Sequence, residues 1–327
     1  MDATLPILIL LVLVLVFIVT SFWFLSRFKK TFGELEIEVL NEKWNSWKWA
    51  LKSIQLSKRS FRSELKKIKK KTKAIARENQ KSLFYLNFEG DLRASEICNL
   101  RQEITAVLTA ADPDNDEVFI TVTSAGGSVQ DYGLAASQLQ RITNKRLNLT
   151  VSVDTVAASG GYLMACVANR IIASPFAIIG SIGVVAQFPN FHRLLKKWDI
   201  DYKEYTAGEF KRTVTLLGEI QPKGEQKFLE QLEHTHQFFK KYVQQHRPHV
   251  DVTRLATGEY WYGQKALELG LVDEILTSDD FLMNYAEKGY QIISIRYKVK
   301  KPWSQRLSDG LVESLEHKIL SWLSRKI

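Results

Sequence analysis

The amino-acid sequence predicts an α/β fold in which parallel strands are joined by crossover helices. Two runs carry that prediction. The β-branched stretch Val118-Phe119-Ile120-Thr121-Val122-Thr123 leads into Ser124-Ala125-Gly126-Gly127-Ser128-Val129, after which Leu134, Ala135 and Leu139 mark a helix. Asn148-Leu149-Thr150-Val151-Ser152-Val153 then leads into Val156-Ala157-Ala158-Ser159-Gly160-Gly161-Tyr162, and Tyr162 to Val167 read as a mostly apolar helix. Two strand–glycine–helix turns within about forty residues suggest parallel strands with crossovers between them. In such sheets the loops after the strand ends lie along one side, where two glycine pairs can meet.

Along the chain, residues 1–5 form a short tail. Pro6 to Leu25 follows, twenty residues without a charge, mostly Leu, Ile, Val and Phe. That is the length needed to cross a hydrocarbon core of about 30 Å. Phe22, Trp23 and Phe24 supply an aromatic belt at its end. No basic residue precedes the run and no A-x-A site follows it, so it reads as a retained transmembrane helix rather than a cleaved leader. Residues 26–81 read as a basic helical stalk. It holds the Lys66–Lys73 cluster and Trp44, Trp47 and Trp49, and it carries most of the +9 net charge. Such a helix suits an anionic lipid surface. No nucleic-acid-binding motif accompanies the charges, so no nucleic-acid partner is expected.

The globular part is placed at residues 82–297. Leu83 to Phe88 opens it as a strand. Ser95 to Ala110 follows as an amphipathic helix with Ile97, Leu100, Ile104, Val107 and Leu108 on its buried side. Asp279–Lys288 and Tyr290–Arg296 are its last helix and strand. Cys98 and Cys166 fall in helix patterns and read as buried free thiols. Residues 298–327 end the chain as an amphipathic helix carrying Leu307, Leu311, Leu315, Ile319, Trp322 and Leu323.

Ser159 stands between a strand and a helix with two glycines behind it. Such a turn exposes a hydroxyl, lets a substrate approach the backbone, and sets helix N-terminal N–H groups beside an attacked carbonyl. Small-residue turns also serve as plain packing turns, so both readings stand at this point. A serine hydroxyl needs a base to become a nucleophile. None of the six histidines lies in a glycine turn, and no motif ties one to Ser159; His192 is the one kept as a candidate. Neither H-E-x-x-H nor a paired-cysteine spacing is present, so no metal site is expected.

T-S-A-G-G-S-V, V-A-A-S-G-G-Y and Ile179-Gly180-Ser181-Ile182-Gly183-Val184, in that order, resemble the signal peptide peptidase A family of membrane serine proteases, most closely its single-domain SohB branch. The resemblance extends to Tyr132–Leu139, to Trp261-Tyr262-Gly263-Gln264-Lys265-Ala266 and to Gly270–Ile275, and so covers nearly the whole chain. Ala125 departs from the proline common in the family but keeps both glycines.

The resemblance implies a ClpP/crotonase-like fold of repeated ββα units and a serine endopeptidase with a Ser–Lys dyad. The family lysine lies in a G-x-[YF]-K segment. Here that is Gly208-Glu209-Phe210-Lys211, which maps the general base onto Lys211, 52 residues after Ser159. A lysine base must be neutral part of the time, which burial promotes. The resemblance further implies an oxyanion hole from Gly126 or Gly127 with Gly160, a hydrophobic substrate pocket, peptide or protein substrates, and no cofactor. It implies a ring-like homo-oligomer, with the dyad completed across subunits in some relatives. It places the protein in the bacterial inner membrane with the protease domain on the outer side. The charges after the span, Arg27, Lys29 and Lys30, instead place that domain in the cytoplasm by the positive-inside rule. A scaffold that has lost catalysis and a crotonase-type acyl-CoA enzyme are the competing functions; the intact Ser159, Lys211 and glycine pairs argue against the first, and the membrane anchor and the Ser–Lys pair against the second, whose fold also uses paired oxyanion N–H groups.

Overall fold

The computed structural model describes residues 33–57, 59–61 and 81–299. The predicted span Pro6–Leu25, the Lys66–Lys73 cluster and the C-terminal helix from Trp303 onward lie outside the described residues. Among the described residues no helix is long and apolar enough to cross a membrane.

The chain divides into two compact units. One comprises residues 37–296; the other comprises residues 1–36 and 297–327. In the second, described at 33–36 and 297–299, the Gly33 N–H donates to Tyr297 Oη (3.1 Å) and Lys298 pairs with Glu36 (2.6 Å).

Residues 37–296 are built on a parallel sheet. Strands β2 (Ser82–Gly90), β3 (Glu117–Ser124), β4 (Asn148–Val153), β6 (Arg170–Ala173), β9 (Glu274–Ile275) and β10 (Gln291–Val299) lie in the order β10-β2-β3-β4-β6-β9, and β1 (Gly33–Val39) flanks β10. The neighbours from β10 to β9 pair in parallel, as the glycine-turn spacing predicts. Val118, Phe119, Ile120 and Val122 of β3 are fully buried. A central parallel strand is covered on both faces and so reads as a continuous apolar run rather than an alternating one. Helix α2 (Ile97–Ala110) crosses from β2 to β3, and α3 (Val129–Asn144) from β3 to β4. The buried side of α2 carries Ile97, Leu100, Ile104 and Val107. Cys98 points the other way and is exposed, against the expectation of a buried thiol; Cys166 is buried.

The predicted stalk needs two corrections. Residues 33–39 are a strand, not helix. The following helix α1 (Leu40–Gln55) begins inside the globular unit: Leu40 belongs to the core with Leu83, Phe119, Ile172 and Phe281, and Trp44 packs on it. Asn41 clamps this end, donating to the Tyr290 carbonyl (3.0 Å) and accepting the Ile292 N–H (2.7 Å). One apolar and one amide side chain anchor the helix, a signal that the surrounding lysines hide. Beyond its first turns α1 leaves the core, and Trp47, Leu51 and Ile54 are exposed.

A further correction concerns the strand before Ser159. It is not β4 but the three-residue β5 (Val156–Ala158). Asp154 bends the chain between them, accepting from the Ser278 N–H (2.9 Å) and hydroxyl (2.5 Å). β4 pairs with the first part of β3, and β5 then pairs with its last residue, Ala157 beside Ser124. On its other edge β5 pairs with β7 (Ile178–Gly180), which in turn pairs antiparallel with β8 (Tyr260–Tyr262). With α4 (Gly160–Ala165) behind them, β4 and β5 form a ββα unit. The switch of partner at Ser124 brings the end of β5 next to the end of β3.

Candidate active site

Ser159 follows β5 and precedes α4 with φ 52° and ψ −118°, a left-handed conformation that is strained for any residue with a Cβ. Two hydrogen bonds hold it there: its N–H donates to the Gly180 carbonyl (2.8 Å), and its own carbonyl accepts the Leu163 N–H (3.0 Å). Its side chain is half-buried at a cavity of about 370 Å³.

The turn after β3 lies against the serine. Gly126 adopts φ +91°, and a Cβ built on it would sit 2.7 Å from Ser159 Cβ and 2.8 Å from Gly160 N. Only glycine allows both the angle and the approach. Gly127 lies against the Leu92 backbone, where a Cβ would come within 2.2 Å of the Leu92 carbonyl oxygen, and Ser128 N–H donates to that same oxygen (2.8 Å). The structure thus brings Gly126, Gly127, Ser159 and Gly160 together.

They are not equivalent as donors. The Gly126 N–H is already bound, to Ser124 Oγ at 3.0 Å, so it does not point at a substrate. The Ser159 N–H is held by Gly180. The Gly127 and Gly160 N–H groups have no hydrogen-bond partner among the described residues, and both residues line the cavity. Of the three glycines expected for an oxyanion hole, Gly127 and Gly160 leave their N–H groups without a partner among the described residues, and Gly126 provides the close approach.

The cavity is mostly apolar. Leu163, Val129 and Val184 line one side, and α6 (Pro222–His246) contributes Phe238, Phe239 and Tyr242. No histidine and no lysine lines it among the described residues. His192 opens the short helix α5 (His192–Lys197) and borders a different depression with Lys196 and Glu219, which removes it from the serine's surroundings.

Lys211 is exposed and is not part of the cavity wall. Its own chain does not supply the burial that a lysine base needs. It sits just after a turn that Gly208 makes at φ +98°, donating its N–H to the Gly208 carbonyl (3.1 Å). Neighbouring charges are paired: Arg212 with Glu204 at 3.3 Å and Lys223 with Glu209. Phe210 lies beneath the ammonium groups of Lys223 and Lys227, at 5.8 and 5.6 Å.

Sequence reasoning missed Ser124, Tyr132 and Asp91. Tyr132 Oη donates to the Asp91 carbonyl (2.8 Å) and shares a short hydrogen bond with Ser124 Oγ. Burial pushes the Tyr132 phenol above its ordinary range, so it stays protonated near neutrality. Tyr132 opens one of the runs that carry the family resemblance, but nothing in that run shows that its hydroxyl meets Ser124 and Asp91.

Residues 141–291 match peptidase family S49, and residues 4–139 match the family's N-terminal region. The probable protease SohB of Haemophilus influenzae is 47% identical over 324 residues, 95% of this chain and 91% of the relative. The probable protease SohB of Buchnera aphidicola subsp. Schizaphis graminum is 41% identical over 304 residues, 90% of this chain and 88% of the relative.

The chain belongs to peptidase family S49, in its SohB branch.

As an S49 peptidase it is a peptide hydrolase, and the serine-type reading is consistent with that family. The boundary between the two matched regions, at residues 139–141, falls inside α3, so both contribute to one folded unit. The S49 match contains Ser159 and Lys211, and the N-terminal match contains Gly126 and Gly127.

Proposed function

We propose that this S49 peptidase is a membrane-anchored serine endopeptidase of ClpP/crotonase-like fold whose Ser–Lys dyad is completed between two copies of the chain. The observation that carries the reading is the strained Ser159, held at the mouth of an apolar cavity beside two N–H groups that have no partner among the described residues. Ser159 Oγ attacks the substrate carbonyl while Lys211 Nζ, contributed by a neighbouring copy, takes the hydroxyl proton. The tetrahedral oxyanion accepts hydrogen bonds from the Gly127 and Gly160 N–H groups. Lys211 returns the proton to the leaving amine, and water then hydrolyses the acyl-enzyme by the same route.

Assembly between copies is supported by the exposure of Lys211 and by apolar residues exposed on the same stretch of chain. Val185 is 75% exposed, Trp198 63% and Tyr205 89%, values unusual for side chains that water alone covers. The apolar lining of the cavity favours substrates that present an apolar side chain beside the scissile bond, as signal-peptide remnants and fragments of membrane or secreted proteins do. The anchor is the uncharged Pro6–Leu25 segment, crossing the bacterial inner membrane once; protease access to the domain in intact spheroplasts assigns its side.

Mixing two inactive variants of the full chain, Ser159→Ala and Lys211→Ala, tests the reading. Each alone loses peptide hydrolysis. Mixed after dissociation and reassembly, they regain a fraction of it through sites that pair an intact Ser159 with an intact Lys211. A Ser159→Ala protein that hydrolyses peptides within about tenfold of wild type overturns the nucleophile assignment, since losing a nucleophile costs on the order of 10³-fold or more. An inactive mixture, with both parents folded and assembled, overturns the division of the dyad.

A further inference from the structure

We propose that Tyr132 is a positioning residue for the oxyanion hole, acting through Ser124 and Gly126. The inference rests on the reading of Ser159 as nucleophile and Gly127 as oxyanion donor.

Four groups form one chain, buried at Gly126, Ser124 and Tyr132 and reaching the surface at Asp91. Tyr132 Oη donates its proton to the Asp91 carbonyl at 2.8 Å. With that proton engaged, the short contact between Ser124 Oγ and Tyr132 Oη has one consistent assignment: Ser124 donates and Tyr132 accepts. Ser124 Oγ is then left as an acceptor, and it takes the Gly126 N–H at 3.0 Å. Every proton in the sequence Gly126 N–H, Ser124 O–H, Tyr132 O–H, Asp91 C=O points the same way. Tyr132 is fully buried and Ser124 nearly so, at 2% exposure, so water does not substitute for either of these two. In a water-excluded setting such a chain is stiff, and each missing partner leaves a costly orphan.

The chain fixes the catalytic turn from behind. By holding the Gly126 N–H inward it sets the orientation of the turn that carries the next amide, Gly127, whose N–H has no partner among the described residues and which lines the cavity beside Ser159. The ring of Tyr132 also bears on the other donor. A Cβ on Gly160 would fall 2.4 Å from Tyr132 Cγ, so ring and Gly160 backbone are in direct contact. A Cβ on Gly161 would fall 2.5 Å from the Ser124 carbonyl oxygen, which ties the start of α4 to the end of β3. One side chain therefore spans the β2–α2 loop, the glycine turn after β3 and the N-terminus of α4. It fixes the separation of the two N–H groups without touching the substrate carbonyl.

The test compares full-length Tyr132→Phe, Ser124→Ala and the double variant, with kcat and KM measured on a chromogenic peptide ester. Removing the phenolic oxygen keeps the ring packing and breaks the relay. We expect kcat to fall by about 10- to 100-fold, the scale of a displaced oxyanion donor, with KM changed less than about threefold. The double variant should lose no more than the worse single variant, because both cut one chain. A peptide aldehyde, which forms a tetrahedral adduct at Ser159, should lose affinity in parallel with kcat, while a non-reactive peptide of the same sequence should not. Wild-type kcat in Tyr132→Phe, losses that multiply in the double variant, or equal losses for aldehyde and non-reactive peptide overturn the proposal. Should Tyr132→Phe fail to fold, Ser124→Ala alone must show the same split between kcat and KM, and its absence is decisive. Failure of the underlying reading looks different: Ser159→Ala then remains active whatever Tyr132 does.

Discussion

Ser159 donates its backbone N–H to the Gly180 carbonyl at 2.8 Å, across the pairing of β5 with β7. The bond joins two of the motifs that identify the chain, the turn carrying the serine and the Ile179-Gly180-Ser181 segment. Gly180 is itself at φ +103°, and Ser181, at φ 50°, donates its N–H to the Glu259 carbonyl at 2.7 Å. The strained serine thus rests on a second strained turn, itself tied to the residue before β8. Such strain persists only where the surroundings over-determine it.

The strain separates two substitutions at the same position. Both Ser159→Ala and Ser159→Gly should abolish hydrolysis, with losses of about 10³-fold or more. Alanine keeps the Cβ and the strained φ, whereas glycine relieves it. Thermal unfolding should find Ser159→Gly more stable than Ser159→Ala by about 1 kcal/mol, the lower end of the cost of a left-handed non-glycine residue. Equal melting temperatures would show that the loop relaxes without cost.

Much of this arrangement is legible in the sequence, for physical reasons. Glycine pairs after β-branched runs mark positions where a side chain has no room, and Gly126 and Gly160 each face a contact under 3 Å. Parallel pairing follows from strand–helix alternation. What was not legible depends on tertiary partners. β5 has three small residues and is a strand only because β3 and β7 flank it. The docking of α1 rests on Leu40 and Asn41, two residues in a segment whose composition is dominated by charge. The Gly126 N–H is engaged by Ser124, which in turn meets Tyr132, a contact that spans a turn and a helix.

Glycine positions predict opposite outcomes for two alanine substitutions. At Gly126, alanine meets both an unfavourable φ and the Ser159 Cβ, so activity should fall by at least about 10²-fold, as expected when catalytic groups are displaced by about an ångström. Gly133 lies within α3, and a Cβ there meets nothing within 4 Å. Gly133→Ala should stabilise the helix by roughly 0.5–1 kcal/mol. Because Gly133 lines the Ser159 cavity, it should also disfavour the bulkiest substrate side chains. Denaturant midpoints and a peptide series of graded side-chain size measure both effects.

Lys211→Arg should be nearly as damaging to hydrolysis as Lys211→Ala. Arginine keeps the charge and any ion pair but does not give up its proton near neutrality, so it fails as a base and serves as a partner. The comparison is made on amide and ester peptides. An arginine variant with wild-type rates would remove Lys211 from the chemistry.

Arg247, buried, and Asp273, one-third exposed, form a partly buried ion pair that should stabilise the region behind α4. The Arg247 side chain is 4% exposed; its Nη1 and Nη2 donate to the Asp273 carboxylate at 3.0 and 2.6 Å. Asp273 also accepts the Ile171 N–H at 2.7 Å, pinning β6. Asp273→Ala leaves a guanidinium buried without its counter-charge and should cost about 3 kcal/mol or more in denaturant unfolding. A loss under about 1 kcal/mol would mean that the arginine finds water, as surface pairs do.

His246 gives the fold an acid-sensitive point at the C-terminal end of α6. Its ring lies 4.7 Å from that of Tyr242, and its Nε2 is buried with no hydrogen-bond partner among the described residues. Burial lowers its pKa below the ordinary histidine value. The neutral form is therefore the one the folded chain accommodates. In the unfolded chain the ring titrates near 6.5, so above that pH the histidine imposes no penalty. As pH falls below about 6.5 the unfolded state binds a proton that the folded state resists, and stability declines until pH reaches the folded pKa. Tyr242 lines the Ser159 cavity, so loosening this end of α6 should also weaken substrate binding before the protein unfolds. Melting temperature between pH 7.5 and about 5 should fall more steeply in wild type than in His246→Phe, which keeps the ring contact and cannot ionise. Parallel slopes in the two proteins would assign the acid sensitivity to other groups.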